Sequence, residues 1–148
     1  MSERTVKTPL GDLCITETEG CITGLCWRCG GHEETPLLLE AERQLSEYFD
    51  GRRKAFDLPL APVGTPFQRA VWQALTEIPY GETRTYGEIA GAVGRGKAFR
   101  AVGMANHCNP IPVIIPCHRV IGADGSLTGY ADGLDRKARL LALEASNK

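Results

Sequence analysis

The residue types best suited to chemistry stand together in the run Pro116-Cys117-His118-Arg119-Val120. A thiolate is the reactive form of cysteine, and nearby positive charge lowers the pKa of a thiol. The neighbouring histidine and arginine therefore favour a nucleophilic Cys117. Because adjacent residues of an extended chain point to opposite sides, a useful Cys117–His118 contact requires a turn or a helix start here. The alternative is a buried structural cysteine beside a histidine without a chemical role.

A rigid, irregular segment is predicted to position this cysteine. Pro110, Pro112 and Pro116 flank the apolar residues 113–115. Proline fixes the backbone φ and cannot continue a regular helix. We therefore expect the reactive run to follow an ordered loop.

Positive charge is concentrated around the same region, although the whole chain has a formal net charge of −1. Between residues 83 and 120, five basic residues face a single acidic one, Glu88, which gives a local net charge of +4. The basic residues are Arg84, Arg95, Lys97, Arg100 and Arg119. Local charge is what a phosphate backbone meets, so this segment predicts either a nucleic-acid-binding face or a basic face balanced elsewhere.

The 148 residues suffice for one compact domain or for two small packed lobes. Residues 57–66 are rich in proline and suit a linker, so we place a boundary near Val63, between lobes 1–62 and 63–148. No apolar run approaches the roughly 18 residues of a membrane span. Residues 1–10 are polar and lack the apolar core of a signal peptide, so we expect a cytoplasmic protein.

The first lobe is predicted to hold strands and one helix. Leu13 and Ile15 alternate with polar residues, and residues 22–27 form a second apolar stretch, so both are expected to be strands. Turns are predicted at Gly11-Asp12 and Glu19-Gly20. A helix is predicted from Thr35-Pro36 to Gly51.

The second lobe is predicted to be mostly helical. Residues 65–68 and 85–88 have the pattern of capping boxes, each of which opens a helix. Phe67, Val71, Ala74 and Ile78 are expected to line the buried face of the first of these helices. A further helix is predicted over residues 97–107, after a glycine turn, which gives the outline of a helix-turn-helix.

Residues 116–120 also resemble the active-site run of the O6-alkylguanine-DNA alkyltransferases, also called methylated-DNA–protein-cysteine methyltransferases. The resemblance continues in unbroken order over residues 65–144 and is weak in the first 60 residues. The segments that carry it are Phe67–Trp72, Ile78–Glu82, Thr85–Ala90, Arg100–Gly103, Asn109-Pro110, Thr128-Gly129-Tyr130 and Lys137–Leu141. It implies a mixed α/β (α+β) fold, with a ribonuclease H-like first lobe and a winged helix-turn-helix in the second.

The resemblance implies a reaction and its catalytic residues. Cys117 would take the alkyl group from O6 of guanine in double-stranded DNA, and from O4 of thymine, in one irreversible turnover. His118 would relay the thiol proton through a water molecule, Glu144 would orient and charge-balance the histidine, and Asn109 would brace the turn. A soft thiolate of low pKa suits this displacement. No cofactor is implied, and we expect a monomer.

The resemblance also assigns residues that bind DNA and substrate. Tyr86 would donate a proton towards N3 of the leaving base and press on the 3′ phosphate. Arg100 would enter the minor groove and fill the gap left by the flipped nucleotide. Lys97, Arg84 and Arg95 would hold phosphates. Gly103 belongs to the same helix, while Tyr130, Ala131 and Val120 would line the substrate pocket, with the Ala131 amide facing O6.

Asp132 departs from the pattern of the family, which has glycine there. It could cap the last helix or tolerate a left-handed backbone. Its carboxylate could also weaken the approach of DNA or change which alkyl groups fit the pocket.

The amino-terminal cysteines leave three interpretations open. Cys21, Cys26, Cys29 and His32 are ligand types that suit zinc. Some relatives carry a structural zinc ion in this lobe, and Cys21 and Cys26 fall near two of those ligand positions. The same cysteines, with Cys14, could instead be small buried hydrophobic residues or could include a redox-active pair. No catalytic metal is expected.

Two other functions compete with alkyl transfer. A recognition protein of the alkyltransferase-like kind binds the lesion without reacting, but such proteins lack the reactive cysteine. A thiol hydrolase could use Cys117 and His118 with multiple turnover, and it would have no use for a helix-turn-helix.

Overall fold

A computed structural model of the chain describes residues 1–128 and 130–148. It opens with an antiparallel sheet of strands β1 (Ser2–Thr8), β2 (Gly11–Thr18) and β3 (Cys21–Cys26), in that order. The buried side chains of the sheet are Val6, Leu13, Cys14, Ile15, Ile22 and Leu25. The helix α1 (Pro36–Phe49) packs on β1 and β2, and the Thr35 side chain caps it by accepting a hydrogen bond from the Leu38 amide.

Strand β1 was absent from the sequence prediction, because a single buried residue, Val6, stands among polar neighbours. The predicted turn at Gly11-Asp12 is wrong. The chain reverses at Pro9-Leu10, and Gly11, at φ +127°, already pairs with Thr8 as the first residue of β2. The predicted turn at Glu19-Gly20 is confirmed.

The rest of the chain is mainly helical and contains α2 (Pro66–Thr76), α3 (Tyr86–Ala92), α4 (Phe99–His107) and α5 (Leu134–Asn147). Both predicted capping boxes are present, at the starts of α2 and α3. Short strands β4 (Arg84–Thr85) and β5 (Val120–Ile121) pair in parallel. The predicted mixed α/β class is confirmed.

Two helix predictions need correction. The buried residues of α2 are Val71, Trp72 and Leu75, while Phe67 and Ala74 are only half-buried. Helix α4 begins at Phe99 and not at Lys97, because a turn with a hydrogen bond from the Ala98 amide to the Arg95 carbonyl precedes it.

Buried contacts join the sheet to the helical part. The Leu25 amide of β3 donates to the Pro110 carbonyl at 2.9 Å, and the Tyr48 hydroxyl of α1 donates to Glu144 of α5 at 2.6 Å. Both contacts lie against the elements that carry the cysteine run. Within residues 1–128 and 130–148, no helix is long and apolar enough to cross a membrane.

Candidate active site

The predicted turn at the reactive cysteine is confirmed, since Cys117–Arg119 form one turn of 3₁₀ helix directly after Pro116. The loop before it is tightly folded. Val113 has φ +73°, a strained conformation for a β-branched residue, and the Ile115 amide bonds to the Ile111 carbonyl at 2.9 Å. The Asn109 side-chain amide donates to the Ile115 carbonyl at 2.8 Å. Asn109 thus fixes the approach to Cys117.

His118 is fully buried and contacts the carboxylate of Glu144, with 2.7 Å between Nε2 and Oε2. Burial lowers the pKa of His118. Burial also raises the pKa of the Glu144 carboxyl, but its hydrogen bonds with His118, Arg119 and Tyr48 outweigh this effect and lower that pKa to about 2. A neutral histidine beside a carboxylate must carry its proton on Nε2. Its Nδ1, which has no partner among the described residues, therefore presents a lone pair.

Arg119 does not stand beside the thiol as the sequence suggested. Its guanidinium is buried and forms two bonds to Glu144, at 2.8 and 2.9 Å, and one to the Ile78 carbonyl at 2.8 Å. Glu144 is therefore charge-balanced by Arg119 while His118 is neutral. Because it is buried, Arg119 does not contribute to the predicted basic face.

The expected low thiol pKa of Cys117 is wrong for the resting protein. Cys117 is only 5% exposed, and burial raises its pKa to about 11. The Asn109 side chain and the Lys137 charge oppose this rise, and the Asp132 charge adds to it. Cys117 is thus a neutral thiol at neutral pH, and its proton must leave before it can act as a strong nucleophile.

Three buried groups around the turn were missed by sequence reasoning. Lys137 has no exposed surface, and its ammonium donates to the carbonyls of Val120 and Thr128; burial lowers its pKa to about 8. Tyr48 donates to Glu144, and the Asn106 side chain donates to the Cys117 carbonyl at 3.3 Å. The spacing of Lys137 on the last helix gave no signal that its charge would point inwards.

Tyr86 stands at the start of α3 beside α4. Its hydroxyl donates to the Thr128 carbonyl at 2.9 Å, and burial raises the pKa of the phenol. A methyl group added at Gly103 would lie 3.9 Å from the Tyr86 ring, in ordinary van der Waals contact, so Gly103 faces Tyr86 but leaves room for a small side chain. Tyr86 would have to release Thr128 before it could bond to a base.

Of the predicted DNA-binding cations, Arg95, Lys97 and Arg100 are exposed and Arg84 is half-buried. Arg100 and Lys97 are exposed, at the first turn of α4 and just before it. Arg95 lies over the ring of Phe67, 5.6 Å from its centroid. Arg84 is partly neutralised by Glu82, at 3.2 Å.

The predicted substrate loop runs between β5 and α5, and Gly129 lies outside the described residues. Val120 and Tyr130 are buried and Ala131 is exposed. The proposed capping role of Asp132 is wrong, because Gly133 precedes α5 at φ +103° and none of the described side chains caps this helix. Gly133, and not Asp132, takes the left-handed conformation. Burial raises the pKa of the Asp132 carboxyl against the Arg136 charge.

All six cysteines are free thiols. Cys14 of β2 lies opposite Cys26 of β3, with the first buried and the second exposed. Among residues 1–128 and 130–148, no three His, Cys, Asp or Glu side chains are grouped as metal ligands would be.

Comparison with known proteins places both parts of the chain in one class, the proteins that take methyl groups from 6-O-methylguanine in DNA. The family model for the 6-O-methylguanine DNA methyltransferase DNA binding domain matches residues 66–146, and that for the ribonuclease-like domain of the same family matches residues 1–62. The chain belongs to the 6-O-methylguanine DNA methyltransferase family, which confirms the resemblance drawn from its sequence.

Individual relatives are similar over nearly the whole chain. The methylated-DNA–protein-cysteine methyltransferase of Methanosarcina barkeri is 63% identical, and the alignment covers 96% of each chain. The constitutive enzyme of that name from Bacillus subtilis is 53% identical over 95% of this chain and 93% of its own. The crystal structure of Mycobacterium tuberculosis OGT in complex with DNA superposes with a TM-score of 0.91 at 47% identity, over 98% of this chain and 93% of that one.

Proposed function

We propose that the protein repairs DNA by direct reversal, moving the alkyl group of O6-alkylguanine, and of O4-alkylthymine, irreversibly onto Cys117. The observation that carries this is the arrangement beside the thiol. Glu144 holds His118, the residue that follows Cys117, so that its buried Nδ1 lone pair is available to accept a proton. The names of the relatives and the family match support the same reaction.

The side chains have complementary parts in the transfer. His118 Nδ1 accepts the thiol proton, through a water molecule, and the imidazolium that results is stabilised by Glu144. The Cys117 sulfur then bonds to the alkyl carbon as the bond from that carbon to O6 breaks. Tyr86 donates a proton towards N3 of the departing guanine, and the Ala131 amide faces O6. Asn109 holds the turn.

The product is a thioether, which has no ready leaving route. The protein is therefore consumed after one transfer, and no cofactor is needed because DNA supplies the alkyl group and the protein supplies the acceptor. Such a protein works as a monomer, and its dependence on a free thiol suits the reducing cytoplasm.

The target carbon lies inside the duplex, so the nucleotide must leave the base stack. We assign Arg100 to the gap left behind and Lys97, Arg84 and Arg95 to the phosphates. We assign Gly103 of α4 to the DNA-binding surface, and Tyr130, Val120 and Ala131 to the substrate side of the site. Residues 1–62 form a supporting lobe, and residues 63–148 form the DNA-binding and transfer lobe.

The direct test is peptide mass spectrometry after mixing the protein with a duplex that contains one O6-methylguanine. We expect the peptide with Cys117 to gain one methylene, saturating at one group per protein. Cys117→Ser should bind the same duplex and gain nothing. DNA binding by the wild type without any mass gain would identify a recognition protein instead, and repeated turnover on a thioester or amide would identify a hydrolase.

A further inference from the structure

Helix α4 exposes two large apolar side chains on its outer surface. Phe99, the residue before Arg100, is 52% exposed, and Met104, the residue after Gly103, is 63% exposed. Exposed apolar groups that lie together and are rimmed by polar residues mark interaction sites more often than scattered ones do. These two side chains have no part in the transfer chemistry and remain to be explained.

Phe99 and Met104 line one shallow groove of about 430 Å³, together with Tyr86, Arg100, Gly103, His107 and Thr128. Residues four apart on a helix lie one above the other, so Phe99 stands over Gly103 and Arg100 stands over Met104. Gly103 in turn lies next to the Tyr86 ring. Phe99 is thus on the Tyr86 side of the helix, and Arg100 points about 100° away from it.

The charged residues around the groove indicate which class of molecule binds there. Arg100 lines the groove, the exposed Lys97 lies two residues before α4, and the described side chains that line the groove include no carboxylate. An apolar floor within a cationic rim suits a nucleic acid, whose sugars and base faces are apolar and whose backbone is anionic. Proteins that enter the minor groove insert phenylalanine, leucine or methionine between base steps and so unstack them.

We propose that Phe99 is a second wedge in the DNA, resting on the function proposed above. While Arg100 occupies the gap left by the flipped nucleotide, the Phe99 ring stacks against the neighbouring base on the Tyr86 side. The ring replaces the stacking contact that this base loses when the nucleotide is flipped out. Phe99 therefore stabilises the flipped state and positions the duplex, and it has no role in reaction with a free base.

The test compares transfer by the wild type, Phe99→Ala, Phe99→Leu and Phe99→Trp. The substrates are a duplex with one O6-methylguanine beside a 2-aminopurine reporter, and the free base O6-benzylguanine. Leu39→Ala, which shortens a 41%-exposed apolar residue on α1, is the matched control. Thermal melting of each variant checks its folding.

We expect Phe99→Ala to slow transfer from the duplex about tenfold, as the loss of one aromatic–base stack predicts. Transfer from the free base and the melting temperature should be unchanged. Phe99→Trp should retain the duplex rate, Phe99→Leu should fall between, and the 2-aminopurine signal of the unstacked step should change in Phe99→Ala. These readouts separate stacking from a structural role.

Three results would overturn the wedge. The first is an unchanged rate of transfer from the duplex in Phe99→Ala. The second is a faster rate, which would show that the ring obstructs the duplex. The third is equal slowing of transfer from the duplex and from the free base. The wild type reports separately on the proposed function, since a wild-type protein that gains no methyl group on Cys117 contradicts that function whatever Phe99 does.

Discussion

His118 Nε2 lies 2.7 Å from Oε2 of Glu144, and this contact sets the chemistry of the turn. The carboxylate also accepts bonds from Arg119 of the same turn and from Tyr48 of α1. Arg119 neutralises the charge of Glu144, so the histidine can stay neutral and serve as a base. The link to Tyr48 shows why the amino-terminal sheet and helix matter to a site built from the other part of the chain.

Glu144→Gln is expected to reduce both transfer and stability. The amide cannot stabilise an imidazolium, and it leaves the buried Arg119 without a counter-charge. Breaking a buried ion pair on one side costs about 3–5 kcal/mol. We expect the rate of methyl transfer to fall by at least about a hundredfold and the melting temperature to drop by several degrees.

The exposed Glu34→Gln is the control for Glu144→Gln, and it should change neither quantity. Stopped-flow transfer and thermal melting measure the two effects. A Glu144→Gln protein that transfers at the wild-type rate would show that His118 needs no carboxylate.

The parts of this site that depend on a few adjacent residues could be predicted from the sequence. The prolines around Cys117 fix an irregular loop, and the capping boxes fix where α2 and α3 begin, because these features depend on a few adjacent residues. The role of Arg119 was not predictable, since a 3₁₀ turn decides which way it faces.

Contacts between residues far apart in the sequence could not be predicted either. Tyr48 and Glu144 are 96 residues apart in the sequence, and Lys137 and Val120 are 17 apart. Strand β1 was missed for a related reason, because it has one buried residue and depends on pairing with β2 for its formation.

The pH dependence of thiol reactivity follows from the burial of Cys117. A folded-state pKa raised to about 11, from an ordinary 9.0, keeps the thiol protonated through neutral pH. In the absence of DNA, alkylation of Cys117 by iodoacetamide should therefore rise about tenfold per pH unit beyond pH 9 and continue towards 11.

Peptide mass spectrometry resolves Cys117 from the other cysteines, and the exposed Cys108 serves as an internal control for the reagent. Denaturant should bring the Cys117 profile back to that of an ordinary thiol. A Cys117 profile that levels off below pH 8 in the folded protein would contradict a neutral resting thiol.

Asp132→Asn is expected to accelerate repair. The Asp132 charge raises the pKa of Cys117, and the same carboxylate stands in the loop that the anionic DNA approaches. Its removal should increase the transfer rate from duplex DNA about two- to fivefold, the effect of a screened charge worth up to about 1 kcal/mol. The iodoacetamide profile of Cys117 should also move to lower pH.

The control for Asp132→Asn is Asp135→Asn, an exposed carboxylate three residues further along the chain. It should leave the iodoacetamide profile in place. Slower transfer by Asp132→Asn would mean that the carboxylate assists the reaction.

Lys137→Met is expected to separate reactivity from stability. The ammonium holds the Val120 and Thr128 carbonyls and lowers the pKa of Cys117 by its charge. Methionine removes both effects, so transfer at pH 7 should fall on the order of tenfold, and the optimum should shift to higher pH.

Stability should change little in the same variant, because two opposing effects offset each other. The folded-state pKa of Lys137 is lowered to about 8, below the ordinary 10.5, so the unfolded chain binds more protons between these values and burial of the charge costs stability at pH 7. Lys137→Met removes this cost of burying a charge. It also leaves the Val120 and Thr128 carbonyls without their hydrogen bonds, which costs a similar amount, about 1–3 kcal/mol per unpaired carbonyl. Lys54→Met, at an exposed lysine, is the control, and thermal melting with pH-dependent transfer measures both quantities. A large fall in melting temperature with an unchanged rate would make Lys137 a purely structural residue.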